Sequence, residues 1–164
     1  MRPAEPEQDV AFARHRSLGY QVNHLARLLA RSIRARIEPL GVVPGQFAQM
    51  LALYEEDGLT QAELCDRVRI DQSTMAHTLK RMERDGLVSR TRDAADRRQL
   101  RAYLTPRARE IQRQLVSLAG QVNALALQGV PPQEQERLLD TLARLIANLE
   151  ADPATNPTND REEP

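Results

Sequence analysis

Two clusters of side chains in this 164-residue chain could do chemistry, and in both cases the chemistry is recognition. The first is Gln72, Ser73, Thr74 and His77, followed by Lys80, Arg81 and Arg84. Short hydrogen-bonding groups come first and cations follow, along what reads as one face of a helix. Such a face can meet base edges with its start and phosphates with its flank. The same polar face would also suit a solvated surface helix. The second cluster is Arg90 and Arg92, then Asp96, Arg97 and Arg98, on two short segments joined by a charged turn.

No catalytic or metal-binding arrangement competes with these. His15, His24 and His77 have no ligand spacing with one another or with Cys65, so no zinc site is expected. There is no glycine-rich phosphate loop, no Gly-x-Ser-x-Gly and no His-Glu-x-x-His. We therefore expect no enzyme, no cofactor and no metal.

The elements that must position the two clusters follow from end signals and spacing. Thr60 with Glu63 fits a capping box and starts a helix through Val68. Asp71 suits the start of the next helix. Met75, Leu79 and Met82 give that helix one apolar face, and Gly86 stops it. Leu100, Ala102 and Leu104 alternate with Gln99, Arg101 and Tyr103, the pattern of a half-buried strand with its apolar set inward. Val88–Arg92 pairs with it as a ribbon. Thr105-Pro106 opens a further helix. Helix, turn, helix and ribbon together describe a winged helix-turn-helix, which sets one helix in a DNA major groove and an Arg-bearing loop beside it.

This stretch resembles the MarR family of bacterial transcriptional regulators. Asp96 and Arg98 meet the family's Asp-x-Arg wing motif, followed by Leu100, Leu104 and a Leu-Thr ending. Met82, Gly86, Leu87 and Val88 meet its Leu-x-x-x-Gly-Leu-Val pattern, with Met where Leu is usual. The similarity runs over roughly residues 15–150. It implies a third short strand near Gly58-Leu59, a homodimer, and a small aromatic or phenolic effector bound between the dimerisation helices and the DNA-reading lobe. It also implies that Gln72, Ser73, Thr74 and His77 meet bases, with His77 where the family often has Arg. Lys80, Arg81, Arg90 and Arg92 would then meet phosphates. Arg98, with Arg97, would enter the minor groove, and Asp96 would orient the guanidinium.

Charge and composition bear on the same reading. The chain is 41% hydrophobic but only 3% aromatic, which favours packed helices over an aromatic-rich sheet. Its net charge of zero argues against a nucleic-acid partner until the distribution is examined. Residues 65–109 hold twelve Lys and Arg against six Asp and Glu, net +6. Residues 1–64 are −1 and 110–164 are −5. A phosphate backbone responds to the local block rather than the total.

The rest of the chain divides as a 1–9 tail, a 10–150 domain and a 151–164 tail, both tails reading as disordered. Within the domain, the resemblance implies that 10–40 and 106–150 are dimerisation helices and 44–105 the winged lobe. The first long helix starts at Val10 or Arg14 and places Leu18, Val22, Leu25, Leu29, Ile33 and Ile37 along one stripe. A helix from Pro44 to Glu56 follows. After the ribbon, helices are expected over Pro106 to about Gln128 and Pro132 to Glu150. Their heptad-like stripes include Leu115, Leu118, Leu142 and Leu145. The stripes suit either an intrachain bundle or an interleaved dimer.

A single cysteine, the absence of an apolar N-terminal segment, and no membrane-length apolar run point to a cytoplasmic protein with no membrane partner. Tyr20, His24, Phe47 and Met50 are candidates to line an effector cleft, and are equally explained by packing. Cys65 reads as a core residue or as an oxidation sensor. The alternative function is a winged-helix protein-interaction module that does not bind DNA.

Overall fold

The computed structural model describes residues 14–155. The expected 1–9 tail, residues 10–13 of the first helix and the end of the C-terminal tail lie outside that range. A 3-10 turn, Arg14–Arg16, precedes α1, Leu18–Ile37. Ser17 caps α1 by accepting the Tyr20 amide, so the α-helix starts at Leu18, the first residue of the apolar stripe, and not at the expected Arg14. A 3-10 turn Glu38–Leu40 continues α1 and ends at Gly41, whose φ of 71° is left-handed. Next come α2, Pro44–Glu55, the short strand β1, Leu59–Thr60, and α3, Gln61–Val68. Thr60 and Glu63 exchange the expected pair of bonds: the Thr60 amide donates to Glu63 at 2.7 Å, and the Glu63 amide donates to Thr60 Oγ1 at 3.2 Å.

After the turn come α4, Gln72–Arg84, and then the ribbon β2, Val88–Arg92, with β3, Leu100–Leu104. β3 lies between β1 and β2, antiparallel to both, with Leu59 opposite Ala102 and Val88 opposite Leu104. β1 is therefore the third strand that the family resemblance implied. The apolar alternation holds for Ala102 and Leu104, which are buried, but not for Leu100, which is 43% exposed. Leu100 pairs with Arg92 at the far end of the ribbon, beyond the reach of the core.

The helix expected from Pro106 to about Gln128 is interrupted. It forms α5, Pro106–Glu110, and α6, Gln112–Ala126, broken at Ile111. Pro132 then starts α7, which ends at Glu150, and residues 151–155 close in a turn.

The molecule divides into two compact units between Val122 and Asn123. In the first, the core gathers Ile37, Met50, Leu53, Leu64, Met75, Leu79, Met82, Leu87, Leu104 and Leu115 from α1 to α6. Cys65 belongs to this core, and burial pushes its thiol pKa up, with the Asp66 and Asp71 charges adding to the shift. In the second unit, α7 buries none of its residues, and Leu138, Leu139, Ile146 and Leu149 remain exposed. The early half of α1 also exposes Leu18, Val22, Leu25 and Leu28. Among the described residues no helix is long and apolar enough to cross a membrane.

Candidate nucleic-acid interface

Helix α4 turns Met75, Leu79 and Met82 into the core, which leaves Gln72, Ser73, Thr74, His77, Lys80 and Arg81 exposed on the other side. Its first turn is organised by Asp71. Oδ1 accepts the Thr74 amide at 2.9 Å and the Ser73 hydroxyl at 2.6 Å, and Oδ2 accepts the Thr74 hydroxyl at 2.7 Å. The Ser73 bond, with Thr74's bonds next, holds the Asp71 carboxyl well below the usual carboxylate range. An ionised carboxylate has no proton to give, so both hydroxyls must be the donors. Each keeps only lone pairs for a ligand. Gln61 Nε2 donates to the Gln72 side-chain oxygen at 2.9 Å, which engages that acceptor and leaves the Gln72 amide nitrogen as the outward donor.

The ribbon cations are more engaged than their sequence context suggests. Arg90 donates through Nε and Nη2 to Glu83 of α4, at 3.1 and 2.6 Å. A phosphate could recruit Arg90 only by sharing or displacing that carboxylate. Arg92 Nη1 donates to the Arg97 carbonyl at 2.9 Å and props the wing loop. Asp96 does not orient the Arg98 guanidinium, contrary to expectation. Its Oδ1 accepts the Arg98 backbone amide at 3.0 Å, and its Oδ2 accepts Gln99 Nε2 at 3.2 Å. A short carboxylate two residues from an amide closes an Asx turn more readily than it spans to a long guanidinium. Asp96 therefore shapes the loop, and Arg97 and Arg98 project exposed side chains from it.

Two residues that hold the wing in place were not among the expected site residues. Asp93 is buried and accepts the Ala95 and Asp96 amides at 2.6 and 3.1 Å. It also pairs with Arg101 Nε. The Arg101 bond, then those amides, holds the Asp93 carboxyl below its ordinary range. Arg101 Nη1 reaches the Gly58 carbonyl at 2.8 Å and Glu63 at 3.4 Å. One guanidinium thus ties the wing base to the β1 turn and to the α3 cap. The only sequence signal was an Asp at the start of a turn and a cation at an outward strand position.

The four effector candidates differ in exposure. Tyr20 and His24 are exposed on α1 with ring centroids 6.3 Å apart. Phe47 packs partly buried against the core, and Met50 has no exposed surface. Met50 is therefore a core residue and is withdrawn from the set. An open depression of about 660 Å³ lies elsewhere, against Arg109, Gln112, Arg113, Val116 and Ser117. Among the described residues no group of His, Cys, Asp and Glu could hold a metal ion.

A three-stranded wing packed on three helices, with a polar helix face and an Arg-tipped loop, defines a winged helix-turn-helix protein. Comparison with known proteins narrows this. The family model described as MarR family matches residues 40–99. The HTH-type transcriptional regulator TtmR of Methylorubrum extorquens is 31% identical over 82% of this chain and 68% of its own length. A MarR transcriptional regulator from Methanosarcina mazei is 28% identical, with a TM-score of 0.73 over 79% of this chain and 94% of that one. A MarR-family regulator from Listeria monocytogenes, solved in complex with a 26mer DNA, shares the fold at 21% identity. Its TM-score is 0.79, over 90% of this chain and 99% of that one. The chain belongs to the MarR family, whose members are DNA-binding transcriptional regulators and not enzymes.

Proposed function

We propose that the protein is a homodimeric repressor that reads an inverted-repeat operator with two copies of α4. The observation that carries this is the pairing of a fully formed reading head with uncovered apolar helices. The winged lobe has its own core, while α1 and α7 each leave a row of large aliphatic side chains in water. Monomeric proteins rarely expose such stripes. A second copy, carrying the same stripes, is the partner a two-fold interface requires. Half-site centres would then lie about 10 base pairs, or one helical turn, apart. A dimer seated over a promoter represses by exclusion, and such a protein works in the cytoplasm, where the DNA is.

In this reading Ser73 and Thr74 act as acceptors only. The major-groove groups they suit are the amino groups of adenine N6 and cytosine N4. Gln72 and His77 supply donors; Lys80 and Arg81 contact phosphates, joined by Arg92 and, with Glu83 displaced, Arg90. Arg98, with Arg97 beside it, enters a narrow minor groove. Release by a small aromatic acid or phenol completes the proposal, with Tyr20, His24 and Phe47 as the contacts. Calorimetric titration with a phenolic acid, repeated on His24→Ala, tests that part. Affinity unchanged in His24→Ala, or no binding at all, would remove it.

The test of the whole is a mobility shift on the gene's own upstream region. A salt-sensitive complex of two subunits per duplex supports the proposal. Absence of any salt-dependent duplex binding favours a protein-interaction module instead.

A further inference from the structure

The end of the recognition helix and the end of α1 converge on a side chain that the DNA readout leaves unused. Arg107, in the first turn of α5, donates through Nη1 to the Asp85 carbonyl at 2.6 Å and through Nη2 to the Leu40 carbonyl at 2.9 Å. Asp85 is the C-cap of α4, and Leu40 ends the 3-10 turn that continues α1. Carbonyls at helix ends lack an amide partner, and the helix dipole there favours a cation. One guanidinium therefore caps two helix ends at once.

Each end is followed by a left-handed glycine, Gly41 and Gly86. A Cβ on Gly41 would collide with Nη2 of Arg107, so that glycine supplies clearance as well as its turn. Neighbouring bonds tighten the junction. Thr105 donates its hydroxyl to the Gly86 carbonyl at 2.7 Å and its amide to the Leu87 carbonyl at 3.1 Å. Gln46 of α2, buried, donates to Asp85 Oδ2 at 2.7 Å and accepts the Val43 amide at 3.2 Å. The exit of α4 is thus held from α5 and from α2. Arg107 extends the hold by a hydrogen bond to the end of α1, whose Ile37 packs in the same core as Leu79 and Met82 of α4. Its planar fork fixes the direction of both bonds, which an ammonium cannot do.

We infer that Arg107 is a positioning residue that locks the C-terminal end of α4 to the end of α1 and thereby sets the spacing at which two recognition helices meet DNA. This rests on the dimeric readout proposed above. Arg107 touches no DNA in this role. In a dimer the two α4 helices must meet grooves about 34 Å apart. An α4 free to swing would tolerate other spacings and would bind the best one less well.

The experiment uses the full chain and duplexes derived from an inverted repeat selected in vitro, with half-site centres shifted by one or two base pairs. Affinity is measured by fluorescence anisotropy at several salt concentrations, and oligomeric state by sedimentation. Wild type should be a dimer with one preferred spacing. Arg107→Met should remain a dimer with an unchanged salt slope, lose about tenfold on the preferred spacing, and lose little on the others. Gly41→Ala, which crowds Arg107 and strains the left-handed turn at the end of α1, should flatten the spacing preference in the same way, and Arg107→Gln, too short to span both carbonyls, decides the matter should Arg107→Met fail to fold. Arg107→Lys should not restore it. Variants that keep the wild-type spacing preference refute the inference. So does a salt slope that falls by about one per subunit, the mark of a phosphate contact. A monomeric wild type, or one indifferent to spacing, refutes the proposed function and the inference with it.

Discussion

The winged lobe and helix α7 treat their apolar side chains in opposite ways. In the lobe, α2, α3, α4 and the ribbon bury theirs against one another, with Leu53, Leu64, Met75, Leu79 and Met82 essentially without exposed surface. Helix α7 is as regularly striped, yet buries none of its residues. Burial of a Leu contributes roughly 1.5–3 kcal/mol, which the Leu side chains of the lobe supply within one chain and the exposed ones of α7 do not. In the proposed dimer, recognition would lie in the lobe and assembly in α1 and α7. Variants in one region should therefore leave the folded structure of the other intact.

The largest effect is expected at the assembly end. Leu142→Glu puts a carboxylate on the α7 stripe. Burying it unpaired in an interface costs several kcal/mol, so sedimentation should show a monomer whose helical content is retained. Operator affinity should fall by more than about 100-fold, because two half-sites are no longer read together. A dimeric Leu142→Glu would move the interface off this stripe.

At the reading end, Arg98→Ala should leave the dimer untouched and weaken operator binding by about tenfold, with the magnitude of the log–log salt slope reduced by about one per subunit. Unchanged affinity and slope would show that the wing tip does not meet DNA. Asp71→Asn sharpens the picture further. Asn still caps α4, but its amide cannot accept both hydroxyl protons, so Ser73 or Thr74 regains a donor. Preference for adenine or cytosine at the facing position should relax, by part of the about 1–3 kcal/mol that a good base contact discriminates. In vitro selection with the variant checks this, and an unaltered preference would place those hydroxyls away from the bases.

Tyr54 joins α2 to α5 through a hydroxyl bond to the Ala108 carbonyl at 2.8 Å, and burial pushes its pKa up to about 12. An unfolded Tyr titrates at about 10. The folded pKa is the higher one, so this contribution is complete below about pH 10 and is lost as pH rises from there toward 12. Tyr54→Phe should lose about 1 kcal/mol at neutral pH and show a shallower alkaline decline in stability. An identical alkaline profile would contradict the burial argument. The smallest effect is expected at Cys65, whose thiol is buried with a raised pKa. Cys65→Ser should leave any response of DNA binding to peroxide unchanged. Peroxide release in wild type that the variant lacks would restore the redox-sensing alternative.

What the sequence revealed of this fold follows the range of each interaction. Thr60 and Glu63, Asp71 and Thr74, and Thr105 and Ala108 bond across three residues, and all three helix starts were legible. The αL stop at Gly86 was legible for the same reason. Arg107 reaches Leu40 across 67 positions, Gln46 reaches Asp85 across 39, and Arg101 reaches Gly58 across 43. No local pattern marks such partners, so the residues that hold the reading head in place escaped notice. Residue type alone places Arg90 and Asp96 at the interface, whereas their geometry is set by Glu83 and by the Arg98 amide. The break at Ile111 interrupts a heptad-like stripe that gave no warning of it.

Hydroxyl-radical footprinting of the wild-type protein on its own upstream duplex tests the two-fold reading most directly. Two identical subunits, each with one α4 and one wing, predict protected backbone patches on a single face of the duplex, related by a dyad. The patches should recur at about one helical turn, or 10 base pairs, with minor-groove protection flanking them on both sides. A single patch without dyad symmetry, or no protection at salt concentrations where the complex forms, would contradict it.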